Sequence, residues 1–417
     1  MKLFRNFFMK INSLHLKNIG PFLDDNIDFV GNGSKPSITI ITGENGTGKT
    51  IVLDAIRKIL LGQQNQQKSR SIVRDIGYLV KAEFKIGSEN LSLYSNELEN
   101  NNFIVKKTGI DFPFFDVQQK FRNYNNLSKG NIWIANYWTS KSDNHPFNIG
   151  TLQFLKPENY LKNSLDGIQS NIEVVQLITY FDYLKSSDSP KEKIEGEFLF
   201  DTLKKIIKLS LIDGEFKYVE RKTLMPIVSQ NGFDVSLDKL SSGNLYLIQR
   251  MISLLGQMYS VYTLNDLKLE EMLLTPGLLM IDEAENHLHP KWQKTFLNSI
   301  LSIFPNLQII ATTHSPFIVS SVENARVYVC KSMKNHSILV DETDLYSNKP
   351  IDEVLASDVF ETSAFSETIT NLMTKRENAI INKDFAESEK IEEQLKEINP
   401  QYFSYLDIDK LLNLVSK

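Results

Sequence analysis

Gly43-Glu44-Asn45-Gly46-Thr47-Gly48-Lys49-Thr50 places three glycines, a lysine and a threonine at the spacing of a phosphate-binding loop. Glycines there let backbone N–H groups turn inward around phosphate oxygens, and the N-terminus of a following helix adds partial positive charge. Gly43, Asn45, Gly46, Thr47 and Gly48 form the cradle in this reading. Lys49 would reach the β- and γ-phosphates of a nucleotide, and the Thr50 hydroxyl would hold Mg2+. A second run, Leu278-Leu279-Met280-Ile281-Asp282-Glu283, ends four apolar residues in two acids. Both carboxylates then stand at the carboxyl edge of a parallel strand, where open α/β sheets bind ligands. Asp282 would bind Mg2+ through water, and Glu283 is placed to polarise an attacking water.

Two further segments carry polar chemistry. Leu240-Ser241-Ser242-Gly243-Asn244 precedes an apolar helix containing Leu245, Leu247, Ile248, Met251, Ile252 and Leu255. A serine there is first of all an N-cap. The same helix end, with two hydroxyls and a glycine, also suits a second phosphate clamp, made by Ser242 and Gly243. Gln308-Ile309-Ile310-Ala311-Thr312-Thr313-His314-Ser315-Pro316 sets His314 just past a buried strand, as a candidate sensor of the γ-phosphate.

The elements that must position these residues are legible in outline. Ile11, Leu14, Leu16 and Ile19, the Gly20-Pro21 break and Ile27 to Val30 read as strand, turn, strand. Ile38 to Thr42 is a strand buried on both faces, and Ile51 to Leu61 is a helix. Residues 78–107 alternate as an antiparallel sheet. Helices are expected near 170–186 and 197–212 and over Asn244 to Tyr262, and Lys291 to Phe304 also has a helical pattern. Gly277 to Ile281 and Gln308 to Thr312 are strands, and this strand–helix–strand rhythm implies a parallel sheet with crossovers. No heptads of coiled-coil length interrupt it.

Composition bounds the rest. The 417 residues are 41% hydrophobic and 23% charged, which suits a globular chain of roughly two or three domains, or one large domain with insertions. Formal charge is −5, but residues 351–400 hold 12 acids and 5 bases, so the remainder is slightly basic and a DNA-facing patch stays open. A lone cysteine, Cys330, excludes disulfides and multi-cysteine metal sites within one chain. No apolar run approaches the ~18 residues of a membrane span, and the opening nine residues are too short for a signal peptide. Met9 is an alternative start. A cytoplasmic protein is expected.

The order of loop, serine–glycine segment, acid pair and histidine resembles the ABC-type ATPase heads of the SMC, RecN and RecF kind, over about residues 11–330. Asp282-Glu283-Ala284-Glu285-Asn286-His287-Leu288-His289-Pro290 and Thr313-His314-Ser315-Pro316 look like the branch of overcoming-lysogenisation-defect nucleases and bacterial defence ATPases. The resemblance implies that two heads sandwich two ATPs. It also implies that Ser242 and Gly243 contact the γ-phosphate held by a second subunit, and that His314 is the switch histidine. Ser-Ser-Gly-Asn replaces the transporters' Ser-Gly-Gly-Gln, which argues against transport. A Mg2+-contacting glutamine is implied between the loop and the signature, with Gln118 and Gln119 both open. His287 and His289 lack a supporting metal cluster.

The nuclease members append a Toprim domain, whereas 87 residues follow Cys330 here, and Asp341-Glu342-Thr343-Asp344 reads as a turn. The tail, with Leu345 to Leu355 and Lys383-Asp384-Phe385-Ala386-Glu387-Ser388-Glu389, looks like the Septu-type defence ATPase family PtuA and its retron-associated versions. That family implies a separate HNH nuclease as partner and, in retron systems, a reverse transcriptase with its RNA–DNA product. A solvated helical hairpin packed on the head is the plainer reading of the tail.

The expected fold is therefore α/β, an ABC-type P-loop ATPase head over 9–345. It carries an antiparallel β lobe and a helical insertion at about 110–240, and a helical tail over 346–417 serves as a partner-docking region. The expected function is ATP hydrolysis, with Lys49, Glu283 and His314 catalytic, in a homodimer or higher oligomer that regulates an HNH-type nuclease in antiphage defence. A RecF-like repair ATPase that binds DNA directly is the first alternative. A module with ATP as a structural ligand is the second.

Overall fold

Met9–Ile19 (β1) opens the folded chain, and its apolar residues alternate imperfectly because the register slips between Ile11 and Ser13. That bulge lets Ile11 and Leu14, three positions apart, share the buried face. The computed structural model describes residues 9–30, 38–61, 72–99, 102–109, 133–139, 151, 158–161, 164–167, 171–211, 214–355, 357, 359–360 and 366–406.

β1 pairs antiparallel with Phe22–Asp28 (β2) and with Leu79–Ile86 (β4); Glu89–Ser95 (β5) and Lys106–Gly109 (β8) continue the lobe. Leu98–Glu99 (β6) and Asn102–Phe103 (β7) make a small separate hairpin. Ile38–Gly43 (β3), Ile134–Trp138 (β9), Gly277–Ile281 (β13), Leu307–Thr312 (β14) and Arg326–Ser332 (β15) run parallel. Ser337–Asp341 (β16) joins the two halves, so one eleven-stranded sheet has the order β8-β5-β4-β1-β2-β16-β15-β3-β14-β13-β9. The antiparallel lobe and the parallel core are thus one continuous sheet. Lys49–Leu61 (α1) leaves the loop after β3 and buries Val52, Leu53, Ile56, Ile59 and Leu60.

The insertion is less helical than its sequence suggests. It holds Asn171–Lys185 (α2) and Pro190–Ser210 (α3), but also β9 and a sheet of Gly214–Glu220 (β10), Met225–Gln230 (β11) and Phe233–Ser236 (β12). The β11–β12 turn is Asn231-Gly232 with φ of 52° and 81°, the pair that a tight hairpin turn requires. α3 starts seven residues earlier than its apolar pattern, since Pro190 suits a first helical turn. Ser242–Asn265 (α4) begins in the serine–glycine segment, the signature of the resemblance above. The segment expected as one helix from Lys291 divides into Pro290–Gln293 and Phe296–Ile303. β15 and β16 were not expected from the sequence. Asp341 ends β16 in a turn, its Oδ1 accepting from the Thr343 N–H (3.1 Å) and hydroxyl (2.6 Å).

The chain divides into two units, Met1–Ile351 and Asp352–Lys417. In the second, Glu367–Ile381 and Phe385–Ile398 pack as a hairpin around Ile391, Leu395, Phe403 and Leu406. Arg376 Nε donates to Glu392 Oε1 at 2.9 Å within it. Ile381 and Phe385 at its tip are 75% and 69% exposed. No helix among the described residues is long and apolar enough to cross a membrane.

Candidate active site

Every residue of β3 is buried, and the strand delivers the loop at its carboxyl end. Gly43, at φ 137°, lies beside Cys330 of β15, where a Cβ would stand 2.3 Å from the Cys330 carbonyl oxygen. Gly48, at φ 105°, leaves no space either, since its Cβ would meet Pro21 at 2.5 Å. Asn45 and Gly46 form the exposed crown. The Thr47 hydroxyl donates to the Glu44 carbonyl at 2.9 Å, closing the turn. Lys49 is buried, and its Nζ donates to the carbonyls of Gly43 (2.9 Å) and Glu44 (2.7 Å). Burial pulls the Lys49 ammonium below its ordinary range, against the pull of Cys330, Glu285, Asp282 and Glu283. A cation so placed gains by meeting phosphate.

Thr50 and Asp282 come from 232 residues apart and meet, the Thr50 hydroxyl donating to Asp282 Oδ1 at 3.0 Å. The Thr312 hydroxyl donates to the same oxygen at 2.7 Å, and the Tyr137 hydroxyl reaches Oδ2 at 3.4 Å. Burial raises the Asp282 pKa, and the Thr312 and Thr50 hydroxyls partly oppose that. A carboxylate and a hydroxyl together are hard oxygen donors of the kind Mg2+ takes, so these residues fit that ion.

Glu283 turns the chain at φ 52°, a left-handed conformation costly for a side chain of its size. Its N–H is held by Thr312 Oγ1 at 2.9 Å, and Asn286 Nδ2 donates to its Oε2. Glu285 accepts from the Thr313 hydroxyl (2.6 Å) and from the backbone N–H of His314 (2.8 Å). The acid segment therefore holds the histidine loop directly.

Burial, and then the Lys49 charge, keep the His314 imidazole below its ordinary range, against Glu285, Glu283 and Asp282. A depressed histidine binds fewer protons folded than unfolded, so stability falls as pH drops below the ordinary value of 6.5 and carries no penalty above it. His314→Asn removes that titration. In nucleotide-free protein, urea midpoints measured from about pH 5 to about pH 7.5 should diverge on acidification, with the wild type losing more. A constant gap across that range would show that the imidazole is not desolvated.

At the signature, Ser241 is the N-cap, accepting from the Asn244 N–H at 3.4 Å, and exposed Ser242 begins the helix. Gly243 sits against the carbonyl of His287, 2.1 Å from where its Cβ would be. His287 lies beside the Tyr246 ring, centroids 5.6 Å apart, and His289 Nδ1 accepts from the Lys291 N–H at 3.2 Å. Among the described residues no group of three or more His, Cys, Asp or Glu could hold a metal ion. The segment after the acid pair thus seats the signature of its own chain. Arg250 of α4 donates to the carbonyls of Gly167 (2.8 Å) and Thr139 (3.0 Å), which Tyr246 also reaches at 3.2 Å.

The structure brings Thr50, Asp282 and Glu283 to one strand edge with the His314 loop. Gln118 and Gln119 lie outside the described residues. Sequence reasoning missed Tyr137, Thr312, Glu285 and Asn286 as participants. The last three sit inside the quoted motifs, and each is a polar residue within two or three positions of an acid or of His314. Tyr137 had no such signal.

Residues 38–320 match the family model of an AAA domain, putative AbiEii toxin, Type IV TA system. The chain is 26% identical over 415 residues to the Retron Vc95 probable ATPase of Vibrio cholerae serotype O1 biovar El Tor, spanning 83% of this chain and 79% of that one. It is 27% identical over 334 residues to the Septu protein PtuA of Bacillus thuringiensis, spanning 70% and 72% respectively. A DNA replication and repair protein RecF of Desulfitobacterium hafniense (strain DSM 10664 / DCB-2) shares 42% over 55 residues, 13% of this chain and 14% of that one. Since the family model covers more than half of its length and the long matches are ATPases of retrons and Septu proteins, this chain belongs to that AAA-domain family and is an ATPase.

Proposed function

We propose that the chain hydrolyses Mg2+-bound ATP in a sandwich of two heads and uses that cycle to control a separate nuclease of the HNH type in antiphage defence. One observation carries the defence reading over the repair reading. The sequence likeness to retron probable ATPases and Septu proteins runs along 70–83% of the chain, whereas the sequence match to RecF covers 13%.

In the reaction, Lys49 exchanges its two loop carbonyls for the β- and γ-phosphate oxygens. Mg2+, when bound by Thr50 and through water by Asp282, supplies charge neutralisation on those oxygens. Glu283 orients the attacking water and takes up its proton. His314, neutral near pH 7, donates to the γ-phosphate. Ser242 and Gly243 of the facing subunit meet the developing charge with a hydroxyl, a backbone N–H and a helix N-terminus. The second unit offers Ile381 and Phe385, in an acidic segment, as the surface for the nuclease.

The test is to isolate the tagged chain expressed from its own locus and to weigh the complex with and without ATP. Co-purification of a nuclease, with or without a reverse transcriptase and nucleic acid, is expected. A homodimer that instead grips DNA, with affinity falling steeply in salt, establishes the repair reading. Tight ATP binding with no phosphate release from the closed dimer establishes the structural-ligand reading.

A further inference from the structure

Asp282 Oδ1 is oriented by two hydroxyls, Thr50 and Thr312. Oδ2 faces the hydroxyl of Tyr137 at 3.4 Å. Tyr137 lies on β9, the edge strand beside β13, with Met280 opposite it in the register. The residue belongs to a hydrophobic core cluster and is 3% exposed.

A cation packs on one face of the ring, and the residue's backbone is hydrogen-bonded. The Arg57 guanidinium of α1 lies 3.9 Å from the ring centroid. Arg57 is fixed in turn: Nε and Nη2 donate to the Leu165 carbonyl at 2.9 and 2.7 Å, and Nη1 donates to Asp54 Oδ1 at 2.6 Å. The Tyr137 N–H donates to the Ser164 carbonyl at 2.9 Å. A planar cation packed on an aromatic face fixes the ring's plane. The phenol hydroxyl lies beside the carboxylate, 3.4 Å from Asp282 Oδ2.

We propose that Tyr137 is a positioning residue for the metal site: held by Arg57, its hydroxyl fixes the Asp282 carboxylate in the orientation that Mg2+ binding requires. This rests on the reading of Asp282 as the residue that holds Mg2+ through water. Partners that orient a metal-binding carboxylate typically contribute about 10–100-fold to metal affinity. The 3.4 Å separation puts Tyr137 at the lower end of that range.

The experiment measures binding of a fluorescent ATP analogue to the full chain in EDTA and across a Mg2+ titration, for wild type, Tyr137→Phe and Asp282→Asn. Tyr137→Phe keeps the ring and its contact with Arg57, and an unchanged thermal midpoint confirms the fold. Its Mg2+ half-point is expected to rise about tenfold, with affinity in EDTA unchanged within about twofold. Asp282→Asn is expected to remove most of the Mg2+ dependence. If Tyr137→Phe leaves the half-point in place while Asp282→Asn moves it, the positioning role is wrong and the site reading stands. Equal losses for Tyr137→Phe in EDTA and in Mg2+ also overturn it, because the tyrosine then serves the nucleotide pocket as a whole. If Asp282→Asn leaves the Mg2+ dependence intact, the site reading fails and the inference fails with it.

Discussion

Glu283→Gln is expected to slow ATP hydrolysis by about 10²–10³-fold while ATP still binds, leaving the closed dimer to accumulate. The magnitude follows from what the carboxylate is asked to do. Water attacking a phosphorus must lose its proton, and an amide of the same shape positions water without accepting that proton. No neighbouring acid takes over. Asp282 accepts from three hydroxyls and is committed to the metal side, and Glu285 has one oxygen on the Thr313 hydroxyl and the other on the His314 N–H. The substitution leaves the fold intact because Glu283 is fixed through its backbone, by Thr312, and an amide oxygen still accepts from Asn286. Single-turnover phosphate release gives the rate, and a mass measurement in ATP gives the dimer. Release at the wild-type rate would sink the assignment of Glu283 as the base.

The site residues that sequence reading found are those whose chemistry is local. A phosphate loop needs its glycines, lysine and threonine within eight positions, and Gly43 and Gly48 show why: one is pressed against Cys330 and the other against Pro21. The two acids follow from the apolar run Leu278 to Ile281, because a fully buried strand that turns acidic must have reached a sheet edge. Where the deciding contact is distant in sequence, the signal disappears. Ile134-Ala135-Asn136-Tyr137-Trp138 is a strand because β13 pairs with it, and its five residues carry no alternation that would mark it. The roles of Tyr137 and Arg57 were hidden with it. The β10–β12 sheet is a different case. Its Asn231-Gly232 turn is present in the sequence, between two helices. The helix expected from Lys291 onward breaks near Thr295 although its apolar residues keep helical spacing, so periodicity gave the buried face but not the continuity.

Mixing Lys49→Ala chains with Gly243→Ala chains is expected to recover activity that neither has alone, because each supplies what the other's site lacks. Lys49→Ala loses the cation that meets the β- and γ-phosphates. Gly243→Ala forces a methyl group against the His287 carbonyl and displaces the end of the signature helix. Each homodimer is then crippled at both sites. In a two-fold symmetric sandwich, a mixed dimer pairs the intact loop of the Gly243→Ala chain with the intact signature of the Lys49→Ala chain, and its other site is doubly defective. Random equal mixing makes half the dimers mixed, with one good site each, so independent sites would return about a quarter of wild-type turnover. No recovery would mean that loop and signature act within one chain. The contact between Gly243 and His287 adds a second expectation. His287 lies four residues beyond Glu283, so the signature offered to one site rests on the acid segment of the other. A defect at one site should therefore lower turnover at its neighbour, and the recovered activity should fall below a quarter by the strength of that coupling. Recovery at the full quarter would show that the two sites of the sandwich turn over independently.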